Sequence, residues 1–136
     1  MRFLIDTHVF LWFINGDNRL SQSVRKAIEG EENEVLLSIA SVWEIAIKTN
    51  VGKLGLAKPF AELIPEQIIE NEIELTPISM DDLKVVALLP LHHRDPFDRL
   101  LIAQAVSLRE CGSIAEDIPI ISKDTAFDSY EVKRLW

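Results

Sequence analysis

The chain has 136 residues, 48% of them hydrophobic and 26% charged, enough for one domain with its own core and without the bias of disordered or low-complexity sequence. Its one cysteine, Cys111, excludes an internal disulfide or a cysteine-rich zinc site and points to a reducing, cytoplasmic setting. With 14 Lys and Arg against 22 Asp and Glu, the net charge of −8 disfavours nucleic-acid binding by general attraction, leaving room for a local basic patch, a bound cation or a basic partner.

The elements alternate. Phe3–Ile5 reads as a short buried strand ending at Asp6, and a helix runs from Thr7 to Ile14, stopped by Asn15-Gly16. The short apolar runs are no membrane span, and Asp6 follows Met1–Ile5 too soon for a signal peptide. A second helix spans Ser21–Glu29, with Ser21 as cap and Gly30 as stop. Val35–Ile39 is a strand, and Ser41 starts a helix ending near Gly52. Pro59–Asn71 is helical, with Pro65 expected to kink or split it. Ile73–Ile78 is a third strand, followed by a Ser79-capped helix to about Leu89. After a polar loop, a long helix runs from Pro96 to about Cys111, closed by Gly112. Ile118–Ile121 and Val132–Leu135 complete the strands, the last at an edge. Such alternation predicts a single α/β domain over 1–136, a three-layer sandwich with a largely parallel five-stranded sheet flanked by helices.

In open parallel sheets, ligands bind beyond the carboxyl ends of the strands. Asp6 follows the first strand directly, Glu44 lies a helical turn past the second, and Asp124 lies three residues past Ile121. Asp98 sits in the first turn of the long helix, with Asp95 three residues before it. Carboxylates from scattered segments thus meet at one edge, where they repel one another unless a cation joins them. Oxygen donors favour Mg²⁺ or Mn²⁺ over zinc, and such a site suits phosphodiester hydrolysis by a metal-activated water.

Each acid also has a plainer role. Asp6, Asp95 and Asp124 fit helix or turn caps, and Asp98 complements a helix dipole. Ser41-Val42-Trp43-Glu44 fits a capping box, and Glu44 pairs with Lys48 at i,i+4. Only their joint placement is informative. His92, His93, Arg94, Arg99 and Lys123 form a basic cluster able to hold phosphates or simply to face solvent. Adjacent His92 and His93 are poor partners on one metal. Thr7 and Ser122 are placed to hydrogen-bond a carboxylate of the site from behind. Trp12 and Trp43 read as core, and Cys111 as a small buried hydrophobe.

Four stretches carry a resemblance. Leu4-Ile5-Asp6-Thr7-His8 with Leu11-Trp12, Trp43-Glu44-Ile45-Ala46-Ile47-Lys48 with Gly52-Lys53-Leu54, Asp95-Pro96-Phe97-Asp98-Arg99-Leu100-Leu101-Ile102-Ala103-Gln104-Ala105, and Ile121-Ser122-Lys123-Asp124 resemble the PIN-domain family. Within it they are most similar to the VapC-type toxins of toxin–antitoxin pairs. The likeness runs from residue 2 to about 128, with the motifs in family order. It implies a Mg²⁺- or Mn²⁺-dependent ribonuclease in which Asp6, Glu44, Asp98 and Asp124 match the four metal-site acids. Asp95 lies outside the four-acid pattern, and Ser122 stands where the family often has Thr. An RNA substrate, a homodimer, and inhibition by a small cognate antitoxin are likewise implied. The other readings are a PIN-fold nuclease of RNA processing and a non-catalytic PIN binding module. Aspartyl phosphatase and receiver-domain readings fit worse, since His8 stands where the former wants a second acid and Pro77-Ile78 end the strand where the latter wants a phosphoacceptor.

Overall fold

A computed structural model of the chain describes residues 1–111 and 117–136, with Glu110 and Cys111 described by their backbone alone. Gly112 and the side chain of Cys111 lie outside what is described.

Strands β1 (Arg2–Ile5), β2 (Glu34–Ser38), β3 (Glu74–Thr76), β4 (Ile120–Ile121) and β5 (Arg134–Leu135) form one sheet in the order β3-β2-β1-β4-β5. Every neighbouring pair is parallel. The helices are α1 (Thr7–Asn15), α2 (Gln22–Glu29), α3 (Ile39–Asn50), α4 (Phe60–Glu70), α5 (Met80–Leu88) and α6 (Pro96–Cys111), with a 3₁₀ helix at Thr125–Ser129. The sheet has a core on each face, because successive strand side chains point to opposite sides. Phe3, Ile5, Val35, Leu37 and Ile121 join a cluster with α1, α2 and α4, while Leu4, Leu36 and Ile120 pack on Leu101 and Ile102 of α6. The three-layer α/β expectation therefore holds, with the sheet wholly parallel.

Strands run shorter than their apolar stretches, and proline is a reason. Pro77 and Pro119 have no N–H to give a ladder, so β3 stops at Thr76 and β4 begins at Ile120. Ile118 is still buried, and the Pro119 carbonyl accepts from the amide of Leu4 at 2.9 Å. Pro65 does not split α4. Pro65 and Ala61, whose carbonyl loses its helical partner, are both exposed, so water can satisfy the vacated acceptor.

Two expectations need correction. Helix α3 begins at Ile39, not Ser41, because the Ser38 hydroxyl caps it by accepting the Ala40 N–H at 3.0 Å. Ser41 is thus inside the helix, and its buried hydroxyl has no hydrogen-bond partner among the described residues. Trp43 is not core: it is 56% exposed and meets Phe97 edge-on, with ring centroids 5.2 Å apart. Trp12 is half-buried against the first cluster.

Candidate metal centre

The sheet order turns at β1. From there the chain steps outward to β2 and β3, then returns to β4 and β5 on the other side. The carboxyl ends of β1, β2 and β4 therefore flank a switch point, where ligands sit in parallel sheets. Each sends an acid there.

Asp6 ends β1 and caps α1, with its Oδ1 accepting the Val9 N–H at 2.8 Å. It is 5% exposed, and burial raises its carboxyl above the ordinary range despite a hydrogen bond from Ser122. Glu44, one and a half turns into α3, is 3% exposed. The shifted start of α3 dissolves the expected capping box, leaving this carboxylate free for other partners. Its Oε1 accepts from the Thr7 hydroxyl at 2.6 Å, and its Oε2 pairs with Lys48 Nζ at 2.6 Å. Thr7 thus hydrogen-bonds a carboxylate, and the Glu44–Lys48 pair forms.

Asp98 is perturbed in the same direction as Asp6. Its carboxyl is pushed up to about 7, first by burial and then by the charge of Asp95, with Asp6 and Glu44 adding in the same sense and His93 opposing. Asp95 itself caps α6, accepting the Phe97 N–H at 2.9 Å and the Asp98 N–H at 3.4 Å. Asp124, after β4, caps the 3₁₀ helix through Oδ1 on the Ala126 N–H at 2.9 Å, and its own N–H donates to Ser122 Oγ at 3.0 Å. Its Oδ2 faces His93 Nε2 at 3.4 Å, and Asp98 Oδ2 lies 3.0 Å from the same nitrogen. One ligand atom from each of His93, Asp98 and Asp124 falls within 4.8 Å of the others.

His93 is the side chain that sequence reasoning undervalued. The adjacent His92 turns away and packs edge-on against Tyr130, centroids 5.2 Å apart, so the objection to a histidine pair does not touch His93. Nothing local signals this contact, since His93 and Asp124 are 31 residues apart. Arg99 has a different placement from a phosphate-facing one, because its guanidinium donates to the carbonyls of Pro90 at 2.9 Å and His93 at 3.2 Å. Lys123 is exposed and, with Asp6, His8, Trp12 and Asp124, lines a cavity of about 320 Å³ opening onto the acids.

Buried and crowded carboxylates without an equal number of cations fit a site for a divalent ion. Asp98 and Asp124 bring carboxylate oxygens within 4.8 Å of each other, and Asp6 and Glu44 are near enough for their charge to raise Asp98, a donor set suited to a hard cation such as Mg²⁺ or Mn²⁺.

Residues 3–133 match the family model of the PIN domain. Ribonuclease VapC16 of Mycobacterium tuberculosis (strain ATCC 25618 / H37Rv) is 37% identical over 57 residues, a stretch covering 42% of this chain and 39% of that protein. Among solved structures, VapBC2 from Rickettsia felis, bound to a DNA fragment from their promoter, superposes with a TM-score of 0.69 at 13% identity, over 99% of this chain and 98% of that one. FitAcB from Neisseria gonorrhoeae gives 0.62 at 16% identity over 100% and 97% of the two chains. VapBC-5 from Mycobacterium tuberculosis, a member of the VapBC family of toxin–antitoxin systems, gives 0.56 at 17% identity over 98% of each. At these identities the structural likeness is one of fold.

Proposed function

The chain belongs to the PIN-domain family, and from that premise we propose that it is a divalent-metal-dependent endoribonuclease, the toxin of a toxin–antitoxin pair. The observation that carries the reading is the convergence of Asp6, Glu44, Asp98 and Asp124 at one switch point, with Asp6 and Asp98 raised by burial and by neighbouring carboxylates. Stability alone disfavours such crowding. The names of the relatives support the choice of RNA and of an antitoxin partner.

Asp98 and Asp124 would hold Mg²⁺ or Mn²⁺, with Asp6 and Glu44 completing the acidic wall. An ion held there would supply Lewis-acid polarisation of a phosphoryl oxygen and lower the pKa of a water. The chain's own residues do the rest. Glu44 is held and oriented by the Thr7 hydroxyl and Lys48. Ser122 braces Asp6 and the backbone of Asp124. Lys123 and His8, on the cavity wall beside Asp6 and Asp124, meet the flanking phosphates of the strand.

The antitoxin and a second copy of the chain need apolar surface to dock on. Trp43, Ile47 and Val51, spaced four apart on α3 and its end, are all exposed and form such a ridge beside Glu44. We place the protein in the cytoplasm, in keeping with its cysteine usage; among the described residues no helix is long and apolar enough to cross a membrane.

The test compares antitoxin-free protein with Asp6→Asn, prepared identically, on total RNA in Mg²⁺, Mn²⁺ or chelator, with fragment ends mapped. Metal-dependent cutting by the wild type alone is expected, and the mapped ends identify the substrate. Cutting that survives chelator sinks the metal mechanism, and cutting by both proteins marks a contaminant. Mn²⁺ binding without any cutting would favour a binding module that keeps the fold for contacts.

A further inference from the structure

His93 lies in the connection between α5 and α6, and that connection is pinned from several directions. Arg99 donates from Nη1 to the carbonyls of Pro90 and His93, and from Nη2 to those of Val86 at 3.4 Å and Leu89 at 3.3 Å. The Tyr130 hydroxyl accepts the His93 N–H at 2.7 Å and donates to the Pro90 carbonyl at 2.8 Å. The imidazole tilts against Phe127 at a centroid distance of 6.0 Å, and its side chain is 15% exposed. Loops are usually the softer parts of a fold, yet this one is clamped by two side chains from different elements.

The polarity of the ring is set as well. The Asp95 N–H donates to Nδ1 at 3.2 Å, so the neutral ring carries its hydrogen on Nε2. That nitrogen faces Asp98 Oδ2 at 3.0 Å and Asp124 Oδ2 at 3.4 Å. A ring whose Nδ1 lone pair is engaged and whose Nε2 is protonated has no lone pair left for a cation. Although the three side chains cluster as ligands would, the hydrogen-bond arrangement makes His93 a donor to ligands.

We infer that His93 is a positioning residue of the metal centre: a clamped Nε2–H donor that holds Asp124, with Asp98 beside the same nitrogen, toward a shared divalent ion. This rests on the reading of the acids as a metal site. Asp124 depends on it most. Its side chain is 48% exposed and its Oδ1 is committed to the Ala126 N–H, so without His93 nothing among the described residues restrains Oδ2. Arg99 and Tyr130 thereby act on the acids at one remove, by holding the loop that holds the ring.

The experiment measures Mn²⁺ affinity by calorimetry without RNA, for wild type, His93→Leu, His93→Gln and Tyr130→Phe, with a thermal melt for each. His93→Leu should lose about 10–100-fold in Mn²⁺ affinity, the usual effect of removing a hydrogen-bond partner of a metal ligand. His93→Gln, which keeps an N–H donor, should recover most of it, and Tyr130→Phe should fall between. A folded His93→Leu that binds Mn²⁺ as tightly as wild type, or more tightly, overturns the inference. Nitrogen-15 spectra of the ring give a second test that needs no variant: Nε2 should keep its hydrogen when Mg²⁺ is added. Its loss would make His93 a ligand and overturn the donor role. If His93→Leu does not fold, Tyr130→Phe and these spectra decide. Wild type that binds no Mn²⁺ overturns the metal reading itself, a result distinct from any of these.

Discussion

Asp98 shows how a carboxyl is held against its own preference. Its carboxyl is raised to about 7 by burial and by Asp95, Asp6 and Glu44. In the unfolded chain it titrates near the ordinary value of 3.8. Between those limits the folded state retains a proton that the unfolded state has released, so metal-free stability falls as pH rises through that window and levels off above it. Asp6, also raised, contributes in the same sense. Thermal melts in chelator from pH 4 to 8 should show this decline, and Mg²⁺ should flatten it by taking the proton's place; a metal-free melting temperature that climbs with pH would contradict the assignment. Asp98→Asn removes the charge but keeps the shape. At pH 8 it should raise the metal-free melting temperature by roughly 3 °C or more, a gain on the order of 1 kcal/mol, while cutting RNA cleavage by more than about a hundredfold, since a ligand should matter more than its outer partners. Lower stability together with lost cleavage would mean that Asp98 is structural.

At the level of elements, much of the plan was readable because it rests on local chemistry. Ser21, Ser79, Asp6 and Asp95 cap the helices that their positions predicted. Gly16 ends α1 at φ 61°, a conformation that other residues adopt at a cost. No atom of the described residues crowds the place a Cβ would take there, so Gly16→Ala should cost about 1 kcal/mol from backbone strain alone, measurable by urea unfolding. A neutral result would show that the turn relaxes. The start of α3 was misread because two serines fit the cap pattern, and local pattern does not rank them. Substitution separates them: Ser38→Ala should destabilise by about 1 kcal/mol, whereas Ser41→Ala, which removes a buried hydroxyl without a partner among the described residues, should be neutral or stabilising. The reverse order would restore the later start. That Asp6, Glu44 and Asp124 lie toward one edge was legible for a related reason, since strand ends in a parallel sheet converge whatever the loops do. His93, Tyr130 and the inward turn of Arg99 were not, because each depends on contacts between segments that no periodicity links.

For the whole molecule, charge decides how a polyanion is met. At −8, the body repels RNA at long range, and the basic residues nearest the acids are partly committed: Lys48 to Glu44, Arg99 to backbone carbonyls. Lys123 and His8 remain exposed on the cavity wall. On the proposed reading, attraction comes chiefly through a divalent ion, which converts an acidic site into an anion-binding one. In chelator, RNA affinity measured by fluorescence anisotropy should fall at or below the weak end of non-specific binding, about 10⁻⁴ M. Mg²⁺ or Mn²⁺ should restore it, and monovalent salt should then weaken it by a slope of about −0.7 per phosphate neutralised on a single strand. A slope near −1 to −2 fits the few groups available at this site. Tight binding in chelator, or a much steeper slope, would instead require an extended basic surface, and would move the RNA path away from the switch point at the end of β1.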